Sequence, residues 1–387
     1  MTSPLVKRMR GFGTSIFTEM SALAVVHDAV NLGQGFPDND APDAVKDVAI
    51  KAIMNGHNQY PPARGMPVLK EAIAAHQHRF YGLEVDPDRE VLVTVGASEA
   101  IAACILALVE PDDEVLSFDP SYDAYGAAVA LAGGVHRTIA LRFGDNGFEA
   151  SHLAESVTDR TRIIVLNNPH NPTGKVFTRP ELEQIAGVAR DNDVIVVTDE
   201  VYEHLTFDGL SHVPMASLPG MAQRTLTISS GAKTFAATGW KVGWVHGAAP
   251  LIDAVARVKQ YLTFTGAGPF QPAIAHGLGL PDGFFDTLRA SMQGRRDVLV
   301  EALHDLGLAT APSQGSYFVV ADVASLGVDD ALPWCRSLPE RVGVAGVPVS
   351  AFCQDPEAAR TLVRFGFCKQ ESVLREGTRR LAALGRG

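Results

Sequence analysis

Cysteine is scarce in this chain and nowhere clustered. The four cysteines, Cys104, Cys335, Cys353 and Cys368, are scattered over 387 residues and none forms a CxxC pair. That spacing suggests neither a disulfide framework nor a cysteine zinc site, and the thiols read as core or near-core side chains. Long basic runs are also missing, and the formal net charge is −11. Nucleic acid and anionic membrane surfaces are therefore not expected partners, although a locally positive site can still take a small anion. No run of eighteen apolar residues occurs, and no apolar stretch follows the basic residues of MTSPLVKRMRGFG. The expectation is a cytoplasmic protein without a membrane span or a secretory leader. His76 and His78 are two apart, which points them to different faces of a helix, so no metal is expected. Internal repeats and low-complexity segments are absent as well.

What is present is a globular composition, 46% hydrophobic and 20% charged, long enough for a large core and two domains. An N-terminal arm leads to a short helix over residues 16–26, then to the Gly/Pro/Asp-rich loop NLGQGFPDNDAP and two further helices. From VLVTVG onward, short β-branched runs alternate with helical ones. VLVTVG, EVLSFD, TRIIVLNN, DVIVVTDE and TLTISS read as strands. Between them lie helical runs, one of which carries Thr178 as N-cap with Glu181 completing a capping box. This alternation predicts right-handed βαβ units, a mainly parallel sheet, and strands buried on both faces. The Gly/Pro-rich residues 266–283 mark a domain junction. A long charged helix and the strand candidates YFVVAD, GVAGVPV and TLVRFGF beyond it predict a smaller α/β domain.

Ligands of parallel sheets bind at the strand ends, and four ends here are polar. GASEA (96–100) offers free backbone N–H groups and a helix dipole for a phosphate; it also reads as an ordinary capped helix start. In NNPHNPTG (167–174) two prolines and a glycine constrain the chain around Asn171, whose amide is then a fixed donor. Asp199 ends the apolar run VIVVT, where a carboxylate needs a cationic partner such as a pyridinium nitrogen, unless it is simply a helix cap. Tyr202 follows on the same side if a helical turn begins there. The fourth end is TLTISSGAKTFAATGWKVG (225–243), around which the chain is organised. Its long polar side chains are Lys233 and Lys241. A lysine among small and apolar residues becomes a usable amine when desolvated, as an imine-forming nucleophile must be; an ordinary strand-end lysine with a snorkelling stem is the other reading. Ser230 and Lys241 are available to a phosphate, and Tyr122 in PSYDAYG supplies an aromatic ring. Together these parts suit pyridoxal phosphate.

The motifs NLGQGFPD, NQYPPARG, NNPHNPTG, TDEVYEHL, SGAKTFAATGWKVGW and LVRFGFCK occur in one order over nearly the whole chain. In this the sequence resembles the pyridoxal-phosphate-dependent class I/II aminotransferases of fold type I. It looks most like the branch with N-succinyldiaminopimelate and kynurenine–glutamine aminotransferases. The resemblance implies a mainly parallel sheet in a large domain (45–280), a smaller α/β domain (281–387), and an N-terminal arm (1–44) contributing to the small domain. It implies that Lys233 bonds the cofactor and moves the proton, that Asp199 pairs with the pyridine nitrogen, and that Asn171 and Tyr202 meet the ring hydroxyl oxygen. Tyr122 would stack on the ring. Ala97, Ser98, Ser230 and Lys241 would hold the phosphate, joined by Tyr60 from the other subunit of a homodimer. Arg364 would clamp the substrate α-carboxylate with the Gly35 backbone and Asn171.

Two departures stand out. Lys241 occupies a position where many aminotransferases have arginine, and KQYLTFTGAGPF has no arginine for a second carboxylate, which argues against a strict aspartate enzyme. The expected partners are an amino acid and a 2-oxo acid, with N-succinyl-LL-diaminopimelate and 2-oxoglutarate the leading pair. Its distant carboxylates would lie near the pocket mouth, with Lys259 or backbone amides to meet them. The alternative is a broad methionine/glutamine/kynurenine aminotransferase, whose more apolar pocket Phe17, Tyr122 and Phe264 could build, or a C–S β-lyase. A transcription regulator with an aminotransferase-like domain is disfavoured, since only about fifteen residues precede the first family-like helix.

Overall fold

The computed structural model describes residues 4–386. The first elements are α1 (Ile16–Val26), the two-residue β1 (Val30–Asn31), α2 (Asp43–Met54) and α3 (Pro67–Tyr81). Strands and helices then alternate: β2 (Val91–Val95), α4 (Gly96–Leu108), β3 (Glu114–Asp119), α5 (Asp123–Ala132), β4 (Val135–Ala140), α6 (Ala150–Ser156), β5 (Thr161–Asn167), α7 (Arg179–Asp191) and β6 (Ile195–Asp199). Next come β7 (Thr225–Ser230), the single turn α8 (Gly231–Thr234), β8 (Val242–Gly247), α9 (Ala249–Leu262) and α10 (Gln271–Leu278). The remainder holds α11 (Asp282–Asp305), β9 (Ala309–Thr310), β10 (Phe318–Asp322), α12 (Ala331–Val342), β11 (Val344–Ala345), β12 (Val347–Pro348), β13 (Leu362–Gly366) and α13 (Glu371–Leu381).

Seven strands form one sheet in the order β2–β8–β7–β6–β5–β3–β4. Only β8 runs against its neighbours β2 and β7; the other pairings are parallel. Six strands therefore share a direction, and Val95, Ser230, Asp199, Asn167 and Asp119 end along one edge. The apolar runs cover both faces because successive side chains alternate. Ile163 and Val165 of β5 pack with Ile101 and Ile105 of α4. Ile164 and Leu166 pack on the other face with Leu182 and Ile185 of α7. The capping box that opens α7 is present, with Thr178 accepting from Glu181 N–H and the Glu181 side chain accepting from Thr178 N–H.

Two strands of this sheet are absent from the sequence reading. β4 lies at the edge and Val135 is exposed, so VHRTIA carries little apolar alternation. β8 hides inside the motif around Lys241. The turn-rich residues 266–283 are also more than a connection. They contain α10, whose Ala273, Ile274 and Leu278 are buried with Val45, Leu69, Phe235 and Trp244.

A second sheet, β12–β13–β10–β9, is antiparallel throughout. Near it β1 pairs in parallel with β11, Val30 opposite Val344. Met20 and Leu32 thus share a core with Leu299, Val319, Phe365 and Leu374. This pairing carries the loop after β1, with Gln34 and Gly35, toward the edge of the large sheet. Among the described residues, no helix is long and apolar enough to cross a membrane.

Candidate active site

At that edge lies a cavity of about 310 Å³. Asp199, the last residue of β6, faces it and is buried. Tyr125 Oη donates to its Oδ2 at 2.8 Å, and the Val201 N–H approaches Oδ1 at 3.4 Å. Burial pushes the Asp199 carboxyl above its ordinary range. Among the described residues it has no ion-pair partner, so a buried carboxylate here lacks its cation. Next to it, Asn167 Nδ2 donates to the Asp199 carbonyl at 2.8 Å, and the Asn171 N–H donates to Asn167 Oδ1 at 2.6 Å. The peptides Asn168–Pro169 and Asn171–Pro172 are cis. Asn171 is thus anchored to β5, and β5 to β6.

One end of the cavity is built for an anion. Gly96, Ala97 and Ser98 open α4, and Ser230 ends β7. Gly96 has φ +74°, and a Cβ on it would stand 3.1 Å from Lys241 Nζ. Glycine is needed both for the left-handed turn and to let the ammonium approach the helix start. Lys241 itself holds φ 54°, a strained backbone kept for the placement of its side chain.

Lys233 projects from α8 into the middle of the cavity, its Nζ 3.1 Å from the Gly35 carbonyl. Its ammonium lies 5.8 Å from the Tyr202 ring centre and 5.5 Å from that of Tyr317. Burial lowers Lys233 to about 8, while Cys368 and Asp199 pull the other way. The Tyr317 hydroxyl also donates to Gly35 O, so this carbonyl fixes both groups.

At the far side is Arg364 of β13, almost fully buried. Its Nη1 donates to Asn171 Oδ1 at 2.9 Å and its Nη2 to Gly33 O at 2.7 Å. The guanidinium carbon stands 3.9 Å from the Phe318 ring centre, 4.9 Å from Phe17 and 5.0 Å from Phe352. Burial brings its pKa down to about 10, which still leaves it charged at neutral pH. Among the described residues no carboxylate pairs with it, and its Nε has no partner. One cavity thus holds an unpaired carboxylate and an unpaired guanidinium. Each calls for a ligand of the opposite charge. A cationic ring nitrogen would suit Asp199, a phosphate the Gly96–Lys241 end, and a carboxylate Arg364. The residues present fit pyridoxal phosphate.

Phe17, Gly35, Ala97, Ser98, Tyr122, Asn171, Asp199, Tyr202, Ser230, Lys233, Lys241 and Arg364 all line this cavity. Tyr60 does not. It is 82% exposed and its ring packs edge-on against Phe264 at 5.7 Å. Phe264 also lies outside the lining. Lys259 is a correction: it is buried, and its Nζ donates to Ala63 O at 3.2 Å and Phe264 O at 2.5 Å. A lysine closing two carbonyls is not at the mouth to meet a substrate. Sequence reasoning missed Tyr125, Tyr317, Gln34 and Phe318. Tyr125 had one available signal, a second tyrosine three residues after Tyr122 in the same helix turn.

A family model described as aminotransferase class I and II matches residues 27–381. The chain is 50% identical over 98% of its length to a Mycobacterium tuberculosis protein named "Probable N-succinyldiaminopimelate aminotransferase", covering 98% of that protein. The methionine aminotransferase of Escherichia coli is 38% identical, with 99% of each chain covered. The solved structure of N-succinyldiaminopimelate aminotransferase from Mycobacterium tuberculosis superposes with a TM-score of 0.96 at 50% identity, covering 98% of this chain and all of that one.

Proposed function

Because the chain belongs to the class I and II aminotransferase family, we propose that its cavity binds pyridoxal 5'-phosphate at Lys233 and serves amino-group exchange between an amino acid and a 2-oxo acid. Bound there, the cofactor supplies an electron sink conjugated with the substrate Cα. Everything else falls to the chain. Asp199 would pair with the pyridine nitrogen and keep it protonated, a benefit that would grow as negative charge develops at Cα. The Lys233 amine would take the proton from the substrate Cα and hold it for return. Asn171 and Tyr202 would hold the ring hydroxyl oxygen, and Tyr122 would cover the ring face. Ala97, Ser98, Ser230 and Lys241, with Tyr60 from a second copy, would take the phosphate. Arg364 receives the α-carboxylate through its planar fork, helped by Asn171 and the Gly35 backbone, with Phe17 beside it. The donor loses its amino group and two electrons and leaves as a 2-oxo acid; the acceptor gains both, so no outside oxidant is needed.

The amino acid is N-succinyl-LL-diaminopimelate and the acceptor 2-oxoglutarate, a reaction of lysine and diaminopimelate biosynthesis. The observation carrying this is the 50% identity, over 98% of both chains, to the Mycobacterium tuberculosis relative of that name. The cavity agrees. Among its described lining residues Arg364 is the one arginine, so a substrate with further carboxylates must keep them far from Cα. The test is competition with methionine and kynurenine, each with 2-oxoglutarate as acceptor. The succinylated substrate should have the highest kcat/KM. A lower value than either competitor sinks this choice in favour of the broad methionine/glutamine/kynurenine enzyme, and pyruvate release from a cysteine conjugate would reveal a C–S β-lyase.

The working form is a cytoplasmic homodimer, divided into an arm (1–44), a large domain (45–280) and a small one (281–387). The homodimer has support in exposed large side chains, with Tyr60 82%, Met54 79% and Tyr261 84% exposed.

A further inference from the structure

Away from the Lys233 cavity, the buried core holds a second polar cluster. His76 of α3 meets His204 in the turn after β6, Nε2 to Nε2 at 2.8 Å. Glu203 stands beside them, and one potential ligand atom from each of the three lies within 4.8 Å of the others. All three side chains are buried. Ser229 Oγ donates to Glu203 Oε1 at 2.8 Å, and the Tyr81 hydroxyl faces the same carboxylate. Glu203 Oε2 and His76 Nδ1 are buried without a hydrogen-bond partner. A second buried carboxylate, Glu200, is taken by His212 Nε2 at 2.8 Å.

Two carboxylates are buried here, and among the described residues neither pairs with a lysine or arginine. Arg289 lies nearest the open side, and its guanidinium is held by Asp286. Glu203, buried beside imidazoles with Oε2 and the His76 Nδ1 unpartnered, has capacity for a cation. Two histidines and a glutamate are a donor set that suits zinc, with its fourth position open. A cavity of about 320 Å³, lined by Tyr81, Glu203, His204 and His212, adjoins the cluster and has room for a water or small ligand.

We propose that His76, Glu203 and His204 bind one divalent transition-metal ion, zinc in the first instance. The ion ties α3 to the turn that follows Asp199 and carries Tyr202. It lies close to the other cavity in the chain: Ser229 serves Glu203, whereas Ser230, one residue later, lines the Lys233 cavity. The site is invisible in the local sequence because His76 and His204 are 128 residues apart, and because His78, two residues from His76, points into solvent beside Glu84.

The experiment uses cofactor-loaded enzyme that has never met metal-affinity resin. It is dialysed with zinc, assayed for metal content, and titrated against a chromophoric zinc chelator. One zinc per chain is expected, and Glu203→Gln or His204→Gln should weaken it at least about tenfold, whereas His78→Ala should not. Cobalt in place of zinc should give tetrahedral visible absorption bands that Glu203→Gln removes. Equal zinc affinity in wild type and Glu203→Gln overturns the proposal. Should those variants fail to fold, wild type decides alone: zinc that neither binds stoichiometrically nor raises its melting temperature overturns it.

Discussion

The Tyr125 hydroxyl donates to Asp199 Oδ2 across 2.8 Å, with both side chains buried. It is the one side-chain hydrogen bond to this carboxylate among the described residues, and it leaves lone pairs for a cation in the cavity. Tyr125 is therefore a positioning residue for Asp199. Tyr125→Phe removes a hydrogen bond to a charged group, a loss of about 1.5–3 kcal/mol, or roughly tenfold to a hundredfold in kcat. KM should move little, and the pH titration of the bound cofactor's absorbance should shift. An unchanged titration with unchanged kcat refutes the role. Asp199→Asn should retain cofactor and lower kcat by orders of magnitude; near-normal turnover would mean another group protonates the ring.

Lys233 yields a pH prediction. Burial lowers it to about 8, against about 10.4 for an ordinary lysine. Below pH 8 it is an ammonium and above it a free amine. The rate at which cofactor-free enzyme takes up pyridoxal phosphate should therefore rise through pH 8 and level off above it. Between the folded and ordinary values the unfolded chain holds the proton more tightly, so this group adds stability to the cofactor-free protein as pH rises across that window. An uptake rate still climbing steeply at pH 10 contradicts the shift. Lys233→Ala should abolish turnover while sparing the fold. Borohydride reduction and peptide mapping should tag Lys233, and a tag on another lysine refutes it.

The parts of this site that the sequence disclosed are those placed by local rules. Asp199, Asn171, Ser230 and Gly96 sit at or just past strand ends, and strand ends of a parallel sheet share an edge. Lys233 was visible because its neighbours are so small. What escaped depends on contacts between distant segments. Tyr125 matters through its reach beneath β6, and Tyr317 through the loop that β1 brings over by pairing with β11. Lys259 was misjudged for the same reason. The sequence does not reveal the Ala63 carbonyl, far away in the chain, which with the Phe264 carbonyl just past α9 draws its ammonium inward. β4 escaped because an edge strand need not alternate apolar and polar residues strictly.

Arg364 lies between three aromatic rings and binds two fixed oxygens. Arg364→Lys keeps the charge but loses the fork and the stacking surface. The loss should appear as a raised KM for both amino acid and 2-oxo acid, with kcat/KM down at least about tenfold and kcat changed less. Cofactor affinity should not change. A variant with normal KM for both substrates places the α-carboxylate elsewhere.

Tyr60 lies outside the Lys233 cavity of its own chain. Tyr60 is 82% exposed, beside Phe264 and near Tyr261, large rings that a monomer would leave in water. If this surface meets a second copy, a twofold axis delivers each Tyr60 to the other subunit's phosphate end. Lys233→Ala and Tyr60→Ala chains then carry defects in different halves of a shared site. Each pure variant should be strongly impaired. In a mixed dimer, the intact Lys233 belongs to the Tyr60→Ala chain and receives Tyr60 from the Lys233→Ala chain, so one of its two sites is whole. An equal mixture, after subunit exchange, should recover about a quarter of wild-type activity. Activity no greater than the average of the two pure variants, or full activity in a strictly monomeric wild-type sample, sinks the shared site.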